Sequence, residues 1–172
     1  DLDIAALTAE AFMCFTPRGL WNLDTGKPTG QHTVLAREII ERAMTLPGGA
    51  EHPALCHLYI HLMEMSPYPE IALPAADRLR FLMPDASHLL HMPTHIDLAC
   101  GDYRRAMDSN HQAMLVDDKF FARTEGTTLY KLYRAHNIYV KLYSALMSGR
   151  FKEALSAANR LPGILTTEVL SI

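Results

Sequence analysis

Positive charge in excess is the first thing missing: 16 Lys and Arg stand against 19 Asp and Glu, a formal net charge of −3 over 172 residues. Phosphate backbones are held by surplus Lys and Arg, so this balance leaves no footprint for nucleic acid. Aromatics are scarce at 8% and are not interleaved with basic residues, which excludes a stacking groove for single strands. No apolar run approaches the roughly 20 residues of a membrane span. Cys14, Cys56 and Cys100 are odd in number and include no C-x-x-C pair, so no disulfide framework is expected. Three unpaired thiols suit a reducing compartment, and the expectation is a cytoplasmic protein. Also absent are a Ser-centred elbow, a phosphate loop and an H-E-x-x-H helix. The chain opens on Asp1 with no basic and apolar leader and closes on a segment that looks like another helix starting. It reads as a piece of a longer repeat array.

What is present is histidine in register. Residues 57–64 read H-L-Y-I-H-L-M-E and residues 88–95 read H-L-L-H-M-P-T-H. At 100° per residue His57, His61 and Glu64 share an arc of about 60° on a helix, and so do His88, His91 and His95. His57 to His91 is 34 positions, and so is His61 to His95; Ala72 to Ala106 and Pro84 to Asp118 repeat that lag. A period of 34 is the length of one tetratricopeptide unit, a helical hairpin that stacks on its neighbours. The two histidine faces are then expected on one side of two successive stacked helices.

The rest of the chain fits that period. Apolar spacing predicts a helix over 3–15 with Asp3 as its cap, a loop over 16–31 anchored by a buried Trp21, and a helix over 33–46. Pro53 opens the first histidine helix, 53–65, and its partner covers 70–83. The second histidine helix runs 87–99, capped by Ser87 and bent by Pro93, with its partner at 103–116. An irregular insertion over 117–127 shifts the period before helices at 129–147 and 152–161. The expected class is all-α: a right-handed superhelical stack of hairpins at 3–46, 53–84, 87–118 and 129–162.

The stretch G-D-Y-R-R-A-M-D-S-N-H-Q-A-M-L-V-D-D at 101–118 is similar to the second half of a tetratricopeptide unit, and G-R-F-K-E-A at 149–154 is a shorter match. The segments 52–67 and 88–96, with A-H-N at 135–137, resemble a group of histidine-rich tetratricopeptide proteins of bacterial and fungal genomes. That resemblance covers nearly the whole chain and implies a fold and a set of positions, but no reaction. It implies that the first helix of each unit lines a concave groove. His57, His61, Glu64, His88, His91, His95 and, on the next first helix, His136 would then converge there.

Three readings of that convergence compete. In the leading one, His57, His61, His88, His91 and His95 hold a divalent transition metal ion (Zn, Fe or Cu). Imidazole pairs at i, i+4 are standard helix-borne ligands, and adjacent helices lie about 8–10 Å apart. Glu64 and His136 are the candidate acid–base groups of a metal-dependent enzyme acting on a small molecule. In the second reading the histidines work without metal, their mutual repulsion lowering the pKa of a general base. In the third the groove is a non-catalytic scaffold for a peptide or protein. Met63, Met65 and Met92, the thiols of Cys56 and Cys100, and Tyr130, Tyr133, Tyr139 and Tyr143 read mainly as core, with a tyrosine or two capping the pocket. Lys131 and Arg134 read as a solvated face. His32, His52 and His111 fall outside the site.

Overall fold

The computed structural model describes residues 1–171, and of Glu168 the backbone alone. Helices dominate, and they gather into two compact units, Asp1–Leu82 and the chain from Met83 onward. Among the described residues no helix is long and apolar enough to cross a membrane.

The first unit holds α1 (Leu2–Met13), a two-stranded ribbon of β1 (Trp21–Asn22) and β2 (Lys27–Pro28), α2 (Gln31–Met44), α3 (Pro53–Met63) and α4 (Leu73–Leu82). The carboxylate of Asp1, not that of Asp3, caps α1, accepting from the backbone N–H of Asp3 and Ile4. Segment 16–31 is not the plain loop expected. Trp21 pairs with Pro28 and Asn22 with Lys27 across a turn where Gly26 takes φ 67° and the Asn22 side chain accepts from Thr25. Trp21 is buried as expected, and its indole N–H donates to the carbonyl of Leu62 at 2.7 Å. That carbonyl lies in the last turn of α3, where no intrahelical donor reaches it, so the ribbon closes a helix end.

Helix α3 is the centre of this unit, packed by α1, α2 and α4. Pro53 occupies its first turn, and the Nδ1 of His52 accepts from the Leu55 N–H. Leu55, Cys56, Leu58, Tyr59, Ile60, Leu62 and Met63 are all buried, so apolar contact nearly encircles it and His57, His61 and Glu64 form the remaining stripe. The Tyr59 hydroxyl donates to Glu41 at 2.8 Å, and Arg37 pairs with the same carboxylate at 2.7 Å. Burial pushes the Cys56 thiol up to about 11, so this sulfur is an inert core group. The helix expected over 70–83 begins as a 3-10 turn, Pro69–Ala72, before α4. Met65 is 43% exposed, contrary to its assignment to the core.

The second unit comprises α5 (Ser87–His91), α6 (Pro93–Ala99), α7 (Tyr103–Phe121), α8 (Thr128–Met147), α9 (Phe151–Ala158) and the short α10 (Thr167–Leu170). Pro93 has no N–H to give, and the expected single helix is divided there into α5 and α6. Ala86 takes the cap position assigned to Ser87, which is instead buried in the first turn. Helix α7 runs through 117–121, so the insertion shrinks to 122–127. Two aspartates within 117–121 are engaged by neighbours: Asn137 donates to Asp117 at 2.8 Å, and Arg134 to Asp118 at 2.7 Å.

Two helix ends in this unit share one design. Gly101 (φ 80°) follows α6 and Gly149 (φ 68°) follows α8. In the first, the N–H of Asp102 reaches back to Asp97 and that of Gly101 to Leu98. In the second, Arg150 bonds to Ala145 and Gly149 to Leu146. This is the paired 6→1 and 5→2 closure that a left-handed glycine permits. Small buried residues, Ala106, Ala113, Ala145, Ala154 and Ala157, let α7, α8 and α9 approach closely. Tyr133, Tyr139 and Tyr143, expected mainly in the core, are 42%, 56% and 42% exposed, and Cys100 is exposed as well. Each lies on the solvent face of its helix or at a helix end.

Candidate metal centre

In the second unit His91, His95 and His136 each present a ring nitrogen, and these three atoms lie within 4.8 Å of one another, a grouping able to hold a metal ion. Three elements supply them. His91 ends α5, His95 sits one turn on in α6, and α8 carries His136 across to them. The rings of His91 and His95 meet edge to face at 5.0 Å, and those of His91 and His136 at 4.7 Å. His91 is fully buried, His95 half-buried and His136 exposed, so the group opens to solvent on one side.

The protonation pattern follows from a residue the sequence reading passed over. Asn110, fully buried on α7, donates its amide N–H to its own helix at the Ala106 carbonyl, 2.8 Å away. Its Oδ1 therefore faces the Nδ1 of His91, at 2.7 Å. An amide oxygen only accepts, so Nδ1 of His91 carries the proton and Nε2 keeps a bare lone pair. This is the outer-sphere arrangement that fixes the tautomer of metal-binding histidines. The Nε2 of His91 lies 3.1 Å from the Nε2 of His95, a hydrogen bond in which the His91 nitrogen accepts. Two nitrogens on a tetrahedral ion at about 2.0–2.1 Å would be roughly 3.3 Å apart, so an ion would need little movement of the two rings.

Electrostatics point the same way. Burial, then repulsion from His95, hold the His91 imidazole well below its ordinary pKa despite its bond to Asn110, with His136 and His88 adding to the effect. His91 is thus neutral at physiological pH, the form that binds metal. His88 stands just outside the trio, its ring 6.1 Å from that of His91 and 5.2 Å from that of Tyr133. Tyr133 is accordingly one tyrosine that does border the group.

Beneath the histidines runs a second layer that pattern alone did not reveal. Ser87 and Asn137 hydrogen-bond to Asp117, linking α5, α7 and α8. Burial raises the Asp117 pKa, while those two bonds and the nearby Arg134 oppose the shift. Asn110 and Asp117 are two turns apart on one face of α7, a spacing that reads equally well as a polar surface stripe until the neighbours are known.

In the first unit α3 presents His57 and His61 one turn apart, their rings edge to face at 4.7 Å. Glu64, at the end of that helix, lies 3.0 Å from the Nδ1 of His61. Residues set outside the site have other work. His52 caps α3 and pairs with Asp3 at 3.0 Å, His32 bonds Thr16 at 2.7 Å, and His111 lies 3.0 Å from the Lys141 ammonium. Arg134, assigned to a solvated face, pairs with Asp118 and covers the Phe121 ring at 4.6 Å.

No family model, curated protein or solved structure matches this chain significantly, so its chemistry is read from the site itself.

Proposed function

We propose that this is a metal-binding protein of the tetratricopeptide type, with its centre at His91, His95 and His136. The observation that carries the reading is the Asn110–His91–His95 chain, in which a buried amide oxygen takes one imidazole proton and turns the other nitrogen toward the Nε2 of His95. An ion between the two rings would take one nitrogen from each. All-nitrogen donors favour Zn, Cu or Fe over Ca and Mg.

Three protein ligands with an open solvent side match catalytic zinc sites, whereas structural ones are closed by a fourth ligand. An ion held this way supplies an activated water near neutral pH. The chain's part is to hold His91 in one tautomer, keep it uncharged and leave a face open where a small molecule enters beside Tyr133 and His88. We therefore extend the proposal to a metal-dependent enzyme acting on a small polar substrate.

Elemental analysis of protein purified without an affinity tag tests the proposal. At least one transition-metal ion per chain is expected. Exhaustive chelation should then lower the melting temperature, because the unfolded chain offers no preformed site. Metal-free protein that takes up no ion on reconstitution, with a melt indifferent to chelator, favours the peptide scaffold instead.

A further inference from the structure

We infer that the first unit carries a metal centre of its own, on His57 and His61 of α3, with Glu64 as the group that orients His61. The inference goes beyond the centre at His91 and does not depend on it.

The first argument is the repeated geometry. His57 and His61 stand 34 positions before His91 and His95. Their rings adopt the same edge-to-face contact, 4.7 Å and 66° against 5.0 Å and 86°. Each pair is the i, i+4 spacing at which two imidazoles on a helix reach one ion.

The second argument is again the outer sphere. In each pair one imidazole has its Nδ1 on a side-chain oxygen: His91 on the Asn110 amide, His61 on the Glu64 carboxylate at 3.0 Å. An ionised carboxylate only accepts, so Nδ1 of neutral His61 carries the proton and Nε2 is left as the ligand nitrogen. A carboxylate behind an imidazole also makes that nitrogen a stronger donor than an amide would. Glu64 is thus a positioning residue.

The third argument is access. A depression of about 310 Å³ opens beside His57 between α1 and α3, and Asp3 and Glu10 stand among its lining residues. Its carboxylates favour the approach of a cation and disfavour that of an anion. The donor set, two imidazoles, suits Zn²⁺, Ni²⁺ or Cu²⁺.

Zn²⁺ titration of the metal-free full chain, followed by calorimetry, separates the two centres. The wild type should take up two ions. The His57→Ala/His61→Ala variant should keep the one at His91, and the His91→Ala/His95→Ala variant should keep the one at His57. Glu64→Gln, which preserves shape and removes the charge, should weaken the His57 centre roughly tenfold and leave the other untouched. His57→Gln/His61→Gln, with side chains close to histidine in size, repeats the test if the alanine variant fails to fold. One ion lost only on substitution of His91 and His95 overturns this inference and leaves the proposed function standing. One ion lost with either pair also overturns it. One ion lost only with His57 and His61 supports it and sinks the centre at His91. No uptake at all contradicts both.

Discussion

Asn110 sets the tautomer of His91. Its amide is held by the Ala106 carbonyl, so its oxygen has one orientation and the His91 Nδ1 one role. Asn110→Leu leaves a buried imidazole N–H without an acceptor, at a cost of about 1–3 kcal/mol in denaturant melts. Metal affinity at His91 should fall at least tenfold. Asn110→Asp restores an acceptor and should bind metal more tightly than the leucine variant. If the leucine and aspartate variants bind alike, His91 is not oriented through this side chain. His91 and His95 are marked by spacing, since they stand 34 positions after His57 and His61. Asn110 is not: with Asp117 it is one of two polar residues in a buried face of alanines and methionines, and only α5 packed against it gives it a task.

At the scale of elements, the sequence marks its stops clearly and its continuations poorly. Gly101 and Gly149 close α6 and α8 where expected, because only glycine adopts their positive φ without strain and the backbone closure is local. The end of α7 was misjudged for the opposite reason. Asp117 and Asp118 look like helix breakers, yet side chains from elsewhere in the unit satisfy them. Asp118 links three segments, accepting from Arg134 on α8 and from Arg160 beyond α9. Burial pushes its carboxyl up, but hydrogen bonds from Arg160 and Arg134 outweigh that and hold it below the usual range. The unfolded carboxyl titrates at its ordinary value, so this stabilisation is present above that value and disappears as the pH drops through the lower, folded one. Asp118→Asn should therefore reduce stability at pH 7, by no more than about 1 kcal/mol for each such partly exposed pair. Wild type and variant should converge in urea melts as the pH approaches 3. A gap that stays constant with pH would mean the ion pairs contribute nothing.

For the whole molecule, the all-α class and most helix positions follow from apolar periodicity and from proline and glycine punctuation. The ribbon at 21–28 escaped because its strands are two residues each, too short for any alternation to register. The exposed faces of α8 escaped because tyrosine reads as core by composition, while packing decides which side of a long helix it occupies. The candidate centre lay between these extremes. Its imidazoles are legible, and His136, expected as an acid–base group, has its ring 4.7 Å from that of His91, in a grouping that could also hold an ion. His136 is the contribution that α8 makes from 41 positions beyond His95. The proposed centre requires that α5, α6 and α8 act together on one ion. Competition titration of Zn²⁺ against a chromophoric chelator, on wild type and on His136→Ala, tests this most directly. An affinity reduced tenfold or more in the variant, with its helical content and melt of the metal-free form unchanged, is the predicted result. Equal affinity in the two folded proteins would contradict a three-histidine centre.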